Sequence, residues 1–509
     1  MEVTVQNQSP PNKSLNPEDT NKPSNKESTN QSPNNELSNQ TPPPPVTLIK
    51  RVIFILFGLA SLLGWNAVMS ELPFFTFYLK KMDPATSFPF LNYALNIVLQ
   101  FLILYNRRLV PLKFRLIGGL IAGTIIMILL PTLVLSLKMN STENVFVTGA
   151  IILIMGMVNA LCSGGFFALV SFFPIDLMIG FSAGQGFSGV MMNIIQYIVL
   201  GCVNSGNRKK DLNKTAWIYF GISAGLLLIV LLILLFQLRT DFFKYYLRPL
   251  NMRAQKEKVE KEKKKMEENK KNNKEENKED NKEDSKKEEN KIVSTEREQN
   301  LILKENEKDA SPNTNTNNNL VDKKVNNGPG PKKRREISCF EMFKILMDLD
   351  ILRTYINFIS NALFPKAGVT QSLFKTDKYK TVTILVMYNF TDFFGRYIVL
   401  AFKQTKTKTY IIAIGRTILV FLLIFNYYCE VDLKTDLNVT STLLIIYVIA
   451  LGLTHGMGNS LCFGIAPTMV EDDLKMQAGS SMSFFTVFGL FLGSCLGFLT
   501  KFILEQIEK

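Results

Sequence analysis

The sequence predicts an all-α, polytopic membrane protein. Two observations carry this. Only 20% of the 509 residues are charged, and they crowd into an N-terminal tail and one central stretch. What remains is strongly apolar, rich in Phe, and divided into runs long enough to span a bilayer. The central stretch splits the runs into six and five.

Taken in order, residues 1–46 are Asn, Ser, Pro and Lys, ending in Pro42 to Pro45, and read as a disordered tail without the apolar core of a signal peptide. Eleven apolar spans follow: Val52–Leu79, Phe88–Tyr105, Phe114–Leu137, Val145–Phe173, Ile179–Val203, Trp217–Leu238, Ile351–Gln371, Val382–Ala401, Tyr410–Cys429, Ser441–Val470 and Gln477–Ile503. The seventh is the weakest, interrupted by Arg353, Asn357, Asn361, Pro365 and Lys366. Residues 47–239 form a six-helix half and 346–509 a five-helix half. Residues 240–345 join them as a disordered Lys/Glu/Asn-rich loop, read either as a regulatory segment or as a solvated linker. Positive residues at Arg107, Arg108, Lys113, Lys403, Lys406 and Lys408, together with the central loop, place the N-terminus and the loop in the cytosol. Eleven spans then put the C-terminus outside or in a lumen, with the plasma membrane as the expected site.

The formal charge of +14 does not point to nucleic acid, because the acidic and basic residues of the loop nearly balance and much of the excess flanks apolar runs. The single histidine, His455, excludes multi-His metal sites, and the six cysteines form no CxxC. No Ser/His/Asp set, phosphate loop or HExxH is present, so the chain reads as no enzyme and no cofactor is expected. The expected partners are a small-molecule substrate and the lipid bilayer; the sequence gives no oligomeric state.

The most informative stretch is Tyr388-Asn-Phe-Thr-Asp-Phe-Phe-Gly-Arg396, inside the eighth span. Asp392 and Arg396 are four residues apart and share a helix face, with Asn389 one turn before Asp392. A central Asp or Arg costs roughly 2.5–3.5 kcal/mol on insertion scales, whereas an exposed i,i+4 pair returns about 0.3–0.5 kcal/mol. That face must therefore point into a protein interior or a watery cavity.

Other polar breaks are ambiguous. Gly184-Gln185-Gly186-Phe-Ser-Gly189 fits GxGxxG literally, but no strand precedes it, so its small residues suit helix packing. Trp65 and Met69, one turn apart, suit either a wall for a flat ring or ordinary core. Glu71 reads as an interfacial acid or a proton-coupling site. Asn159 and Ser163 suit a polar ligand or an interhelical tie, and Arg115 a topology marker or a gate. His455-Gly-Met-Gly-Asn-Ser460 reads as a Gly-rich bend lining a cavity, with His455 able to titrate near neutral pH.

Four motifs in order resemble the equilibrative nucleoside transporter family: Gly64-Trp65-Asn66 with Met69; Gly164, Pro174 and Gly184-Gln185-Gly186; Asn389, Asp392, Gly395 and Arg396; and Pro467, Val470, Ala478-Gly479 through Met482 with Gly489 and Gly493. The resemblance covers all eleven spans. It implies a 6+5 bundle related to the major facilitator fold, moving nucleosides or nucleobases by facilitative alternating access around a midplane site. It also implies that Asp392 and Arg396 hold the ribose hydroxyls with Asn389 in support, that Trp65 and Met69 contact base or sugar, and that Arg115 sits at an inner gate. Ser163 stands where many members have a base-reading Gln, with Asn159 as its substitute, and Met476 stands where a gate Glu is expected. Proton coupling through Glu71 or His455, a same-fold carrier of another polar solute, and a scaffold acting through the charged loop remain as alternatives.

Overall fold

The computed structural model describes residues 43–106, 109–203, 207–250, 262, 265–266, 338–363, 378–431 and 437–507. The expected disordered tail before Pro43, Pro365 and Lys366, and the middle of the expected 240–345 loop lie outside the described residues, whereas the described ends of that loop are helical at Asp241–Tyr246, where Phe242 and Phe243 are buried, and from Cys339.

Every regular element among the described residues is helical. The helices are α1 (Leu48–Ser70), α2 (Leu72–Tyr78), α3 (Pro84–Tyr105), α4 (Leu112–Ser136), α5 (Thr142–Val170), α6 (Ile175–Cys202), α7 (Arg208–Gln237), α8 (Asp241–Tyr246), α9 (Cys339–Leu363), α10 (Lys378–Ile398), α11 (Lys406–Val431), α12 (Leu437–Ile465) and α13 (Lys475–Ile507). Local chemistry sets several boundaries. Thr47, Ser141 and Asn207 cap α1, α5 and α7 by accepting a hydrogen bond from the backbone N–H three residues on. The expected first span is two helices, because Pro73 has no N–H to continue α1 and starts α2 instead. The helices α7 and α9 begin earlier than the apolar runs at Trp217 and Ile351, extending through polar turns from Arg208 and Cys339.

Among the described residues, nine helices are long and apolar enough to cross a membrane. The two others of spanning length, α6 at 28 residues and α9 at 25, fall short in apolarity. Both carry polar side chains turned inward: Ser182, Gln185, Asn193 and Gln196 on α6, and Asp350, Arg353 and Asn357 on α9, are all buried. A window that averages hydropathy penalises a helix whose polar residues never meet lipid.

Close pairings are α1 with α6, α3 and α4 with α5, α9 with α13, and α10 with α12. The helices that follow the long loop meet the earlier ones along two seams: α10 and α12 pack on α6, and α13 packs on α3 and α5. Ile121, Ile125 and Ile128 of α4, Leu228, Ile229 and Leu232 of α7, and Ile411, Ile414 and Ile418 of α11 are exposed. Apolar faces of that extent suit hydrocarbon surroundings.

Candidate functional site

Asp392 and Arg396 lie on the face of α10 that meets α6. The Arg396 Nε donates to Asp392 Oδ2 at 2.9 Å, with side-chain exposures of 7% and 6%. Glycines make this depth possible. A Cβ on Gly186 would run into the Phe393 backbone and the Asp392 carboxylate, and one on Gly189 into the Asn389 amide. Gly184 points the other way, against the Ile55 carbonyl of α1. So α6 is sandwiched, with Gly184 toward α1 and Gly186 and Gly189 toward α10.

Polar bonds cross the same contacts. Arg396 Nη1 donates to the Ser182 carbonyl at 3.1 Å, the Ser182 hydroxyl at 3.2 Å and Gln185 Oε1 at 3.2 Å. Gln185 in turn donates to Ser61 on α1 at 3.1 Å, and Asn66 donates to Ser188 at 2.5 Å. Trp65, half-buried beside Asn66, packs on Tyr93 of α3 with ring centroids 5.6 Å apart. Met69, one turn on, is also half-buried.

On its other side Asp392 reaches α12. His455 Nδ1 lies 2.7 Å from Asp392 Oδ1, and Nε2 lies 3.4 Å from Asn357 Oδ1 on α9. The amides there are oriented by the backbone. Asn357 Nδ2 donates to the Arg353 carbonyl at 2.8 Å and to Asn459 Oδ1 at 2.9 Å, while Asn459 Nδ2 donates to the His455 carbonyl at 3.2 Å. Carbonyls only accept, so Asn357 must present its oxygen to the imidazole. Each His455 nitrogen therefore faces an acceptor. Beyond this, Arg353 donates to the Asn459 carbonyl at 2.7 Å and to Thr486 of α13, and its guanidinium lies 5.2 Å from the Phe167 ring centroid.

Through His455–Ser460, where a bend is expected, α12 runs as one unbroken helix. The glycines there permit close approach instead. A Cβ on Gly456 would collide with the Asp392 carbonyl, and one on Gly452 with Thr391 and the Tyr388 carbonyl. A sequence window cannot tell a glycine that breaks a helix from one that lets a second helix in.

The remaining expected residues lie in two other places. Asn159 donates to Asn92 Oδ1 at 2.9 Å, tying α5 to α3. Ser163, one turn further, is buried. Arg115, in the first turn of α4, is buried beside Gly164. Glu71 is buried where α1 gives way to α2, and no hydrogen bond joins it to the Asp392 network among the described residues.

Two features were missed from the sequence. Asn92, Asn96 and Gln100 form a buried stripe at i,i+4 spacing on α3, with Gln100 donating to Asn96 at 2.8 Å. That spacing in an apolar run was the available signal. Arg416 of α11 is wholly buried and donates to the Leu451 carbonyl at 2.9 Å, Thr454 at 3.0 Å, the Ile356 carbonyl at 3.3 Å and Ser360 at 2.5 Å.

Over 89% of its length the chain is 21% identical to human equilibrative nucleoside transporter 2, covering 97% of that protein. It is 22% identical to mouse equilibrative nucleoside transporter 1, with 88% of this chain and 96% of the relative aligned. The fold superposes on the major facilitator proton:xylose symporter XylE with a TM-score of 0.52, at 11% identity and over 90% of this chain and 94% of that one. It also superposes on the major facilitator transporter FucP in its outward conformation, with a TM-score of 0.50, 11% identity and coverage of 89% and 91%. The family model described as nucleoside transporter matches residues 149–502, which include Asp392, Arg396, His455 and Asn357. The chain belongs to the nucleoside transporter family.

Proposed function

We propose that the chain is a facilitative nucleoside carrier in which Asp392 and Arg396 bind the ribose. The observation that carries this is the buried pair itself, held at the seam between α6 and α10. An ionised carboxylate with two oxygens accepts vicinal hydroxyls, and the guanidinium beside it keeps the charge while donating to a sugar or ring oxygen. Asn389, Trp65 and Met69 complete the sugar and base contacts, with Ser163 and the α3 stripe facing the base. The halves 47–239 and 346–509 rock about this site to give alternating access. The N-terminus and the 240–345 loop lie in the cytosol, and the protein works in the plasma membrane.

The test is uptake of radiolabelled adenosine in cells without nucleoside transport of their own, with and without Asp392→Asn. Saturable uptake whose half-maximal concentration rises about 10- to 100-fold in the variant, at unchanged surface expression, supports the assignment. No uptake by correctly localised wild-type protein removes it.

One observation favours a second reading, in which a proton moves with the substrate. His455 offers a nitrogen to Asp392 and another to Asn357, so the site can take up a proton beside the carboxylate. Coupled uptake rises as the outside pH falls, and His455→Gln removes that rise. A flat pH profile in the wild type returns the protein to simple facilitation.

A further inference from the structure

Arg115 differs from the other buried arginines. Arg396 has Asp392, while Arg353 and Arg416 spread their donors over carbonyls and hydroxyls. Arg115 is 4% exposed and, among the described residues, makes no ion pair and no hydrogen bond; its Nε is shut off from solvent without a partner. A guanidinium does not relieve this by losing its proton. A buried guanidinium needs a counter-charge or a set of neutral acceptors, and Arg115 has neither among the described residues.

Across from it, in the first turn of α13, Gln477 is 3% exposed, and neither its Nε2 nor its Oε1 has a partner. Arg115, Gln477 and Ser480 line one small cavity of about 30 Å³, together with Met476 and the aliphatic side chains of Ile103 and Leu104. That volume admits one or two water-sized species. The surroundings are cationic: Arg115 is the fourth residue of α4, where the unpaired N–H groups of the helix start add positive potential. Of the three acids just before α13, Asp472 pairs with Lys475 at 2.7 Å, Glu471 faces out, and Asp473 is half-buried with an interaction of its own.

We propose that this cavity binds a small monovalent inorganic anion of the chloride class. The guanidinium supplies the charge, and the Gln477 amide and the Ser480 hydroxyl supply further donors. Water would satisfy the hydrogen bonds and leave the charge bare. The anion bridges α4 to α13, two helices on opposite sides of the long loop. It therefore stabilises whichever conformation holds these two ends together, by its differential affinity for that state.

The experiment uses the full chain, purified in detergent, with thermal unfolding followed at fixed ionic strength as gluconate is replaced by chloride. The proposal expects a saturable rise of about 2 °C or more in the midpoint, reproduced by bromide and absent with sulfate. Arg115→Gln removes the response. Met476→Glu, which places a carboxylate at the cavity, also removes it, and unfolds without chloride near the temperature of the chloride-bound wild type. A wild type with the same midpoint in chloride and gluconate, as a water-filled cavity predicts, overturns the proposal. So does a chloride response that survives in either variant. If Arg115→Gln does not fold, Met476→Glu alone decides. The measurement involves no substrate, so its outcome is separate from that of the uptake assay.

Discussion

His455 Nδ1 and Asp392 Oδ1 are 2.7 Å apart, though they belong to different helices and are separated by 63 residues of sequence. With Arg396 Nε on Oδ2 at 2.9 Å, each carboxylate oxygen is engaged by a different helix position. Asp392 is thus fixed in rotamer before any ligand arrives, and its remaining lone pairs point where those partners do not. A pre-oriented acceptor spares the entropy of ordering it on binding.

Replacing Asp392 with Asn keeps the shape and removes the charge. A hydrogen bond to a charged group is worth about 1.5–3 kcal/mol, so the concentration for half-maximal nucleoside uptake should rise about 10- to 100-fold. Arg396 retains its bonds to Ser182 and Gln185, so the protein should still reach the membrane. A kinetic series at matched surface expression checks both parts. Arg396→Ala, which strands the carboxylate, should instead cost about 3–5 kcal/mol of stability and be seen first as lost expression.

His455→Gln keeps a side chain able to donate to Asp392 and removes the ring that reaches Asn357 as well. Uptake should survive at reduced affinity. If the site takes up a proton through this ring, the variant's uptake should be level from about pH 5 to 8 where the wild type's is not. A variant that keeps the wild-type profile would place the titrating group elsewhere.

Gly456→Ala should damage the protein through packing alone. Its Cβ would meet the Asp392 carbonyl, a backbone atom that cannot step aside, and overpacking of this kind costs about 1–3 kcal/mol. Gly415→Ala on α11 meets nothing within 4 Å and is the control. It should be neutral or stabilising by up to about 0.5–1 kcal/mol, the helix cost of glycine. Thermal unfolding of the two in one detergent separates a packing effect from a propensity effect.

Asn159→Ala breaks the 2.9 Å bond to Asn92. Interhelical hydrogen bonds in membranes average about 0.6 kcal/mol, so a small loss of stability is expected. If Asn159 also reads the base, the ranking of purine and pyrimidine competitors should change, which a structural tie alone would not produce. A competition panel run beside the unfolding curve distinguishes the two.

Asp392 and Arg396 were legible in the sequence because charge inside an apolar run is rare and costly. The same reasoning was open for Arg416 and the Asn92–Gln100 stripe, but no second charge or recognisable motif drew attention to them. Partners could not be read at all. Nothing in the spacing links Asn357 to His455, or Ser182 to Arg396, since these contacts arise only once α6, α9, α10 and α12 are packed. Glycine misled in one place, where the tight α10–α12 approach was taken for a bend. The first span was read as continuous although Pro73 marks its break.

The two seams between early and late helices differ in their mix of contacts, although rings such as Phe187 and Phe393 also meet across the first. Ser182, Gln185, Arg396 and Ser460 join α6 to α10 and α12 through hydroxyls, amides and a guanidinium. Phe90 against Phe491, and Phe101 against Phe484, join α3 to α13 through rings. Water entering the first seam can replace each lost polar bond with one of its own. Water entering the second gains no such exchange and exposes carbon. The polar bonds of the first seam therefore tolerate wetting, whereas parting the ring pairs of the second carries the cost of exposed carbon.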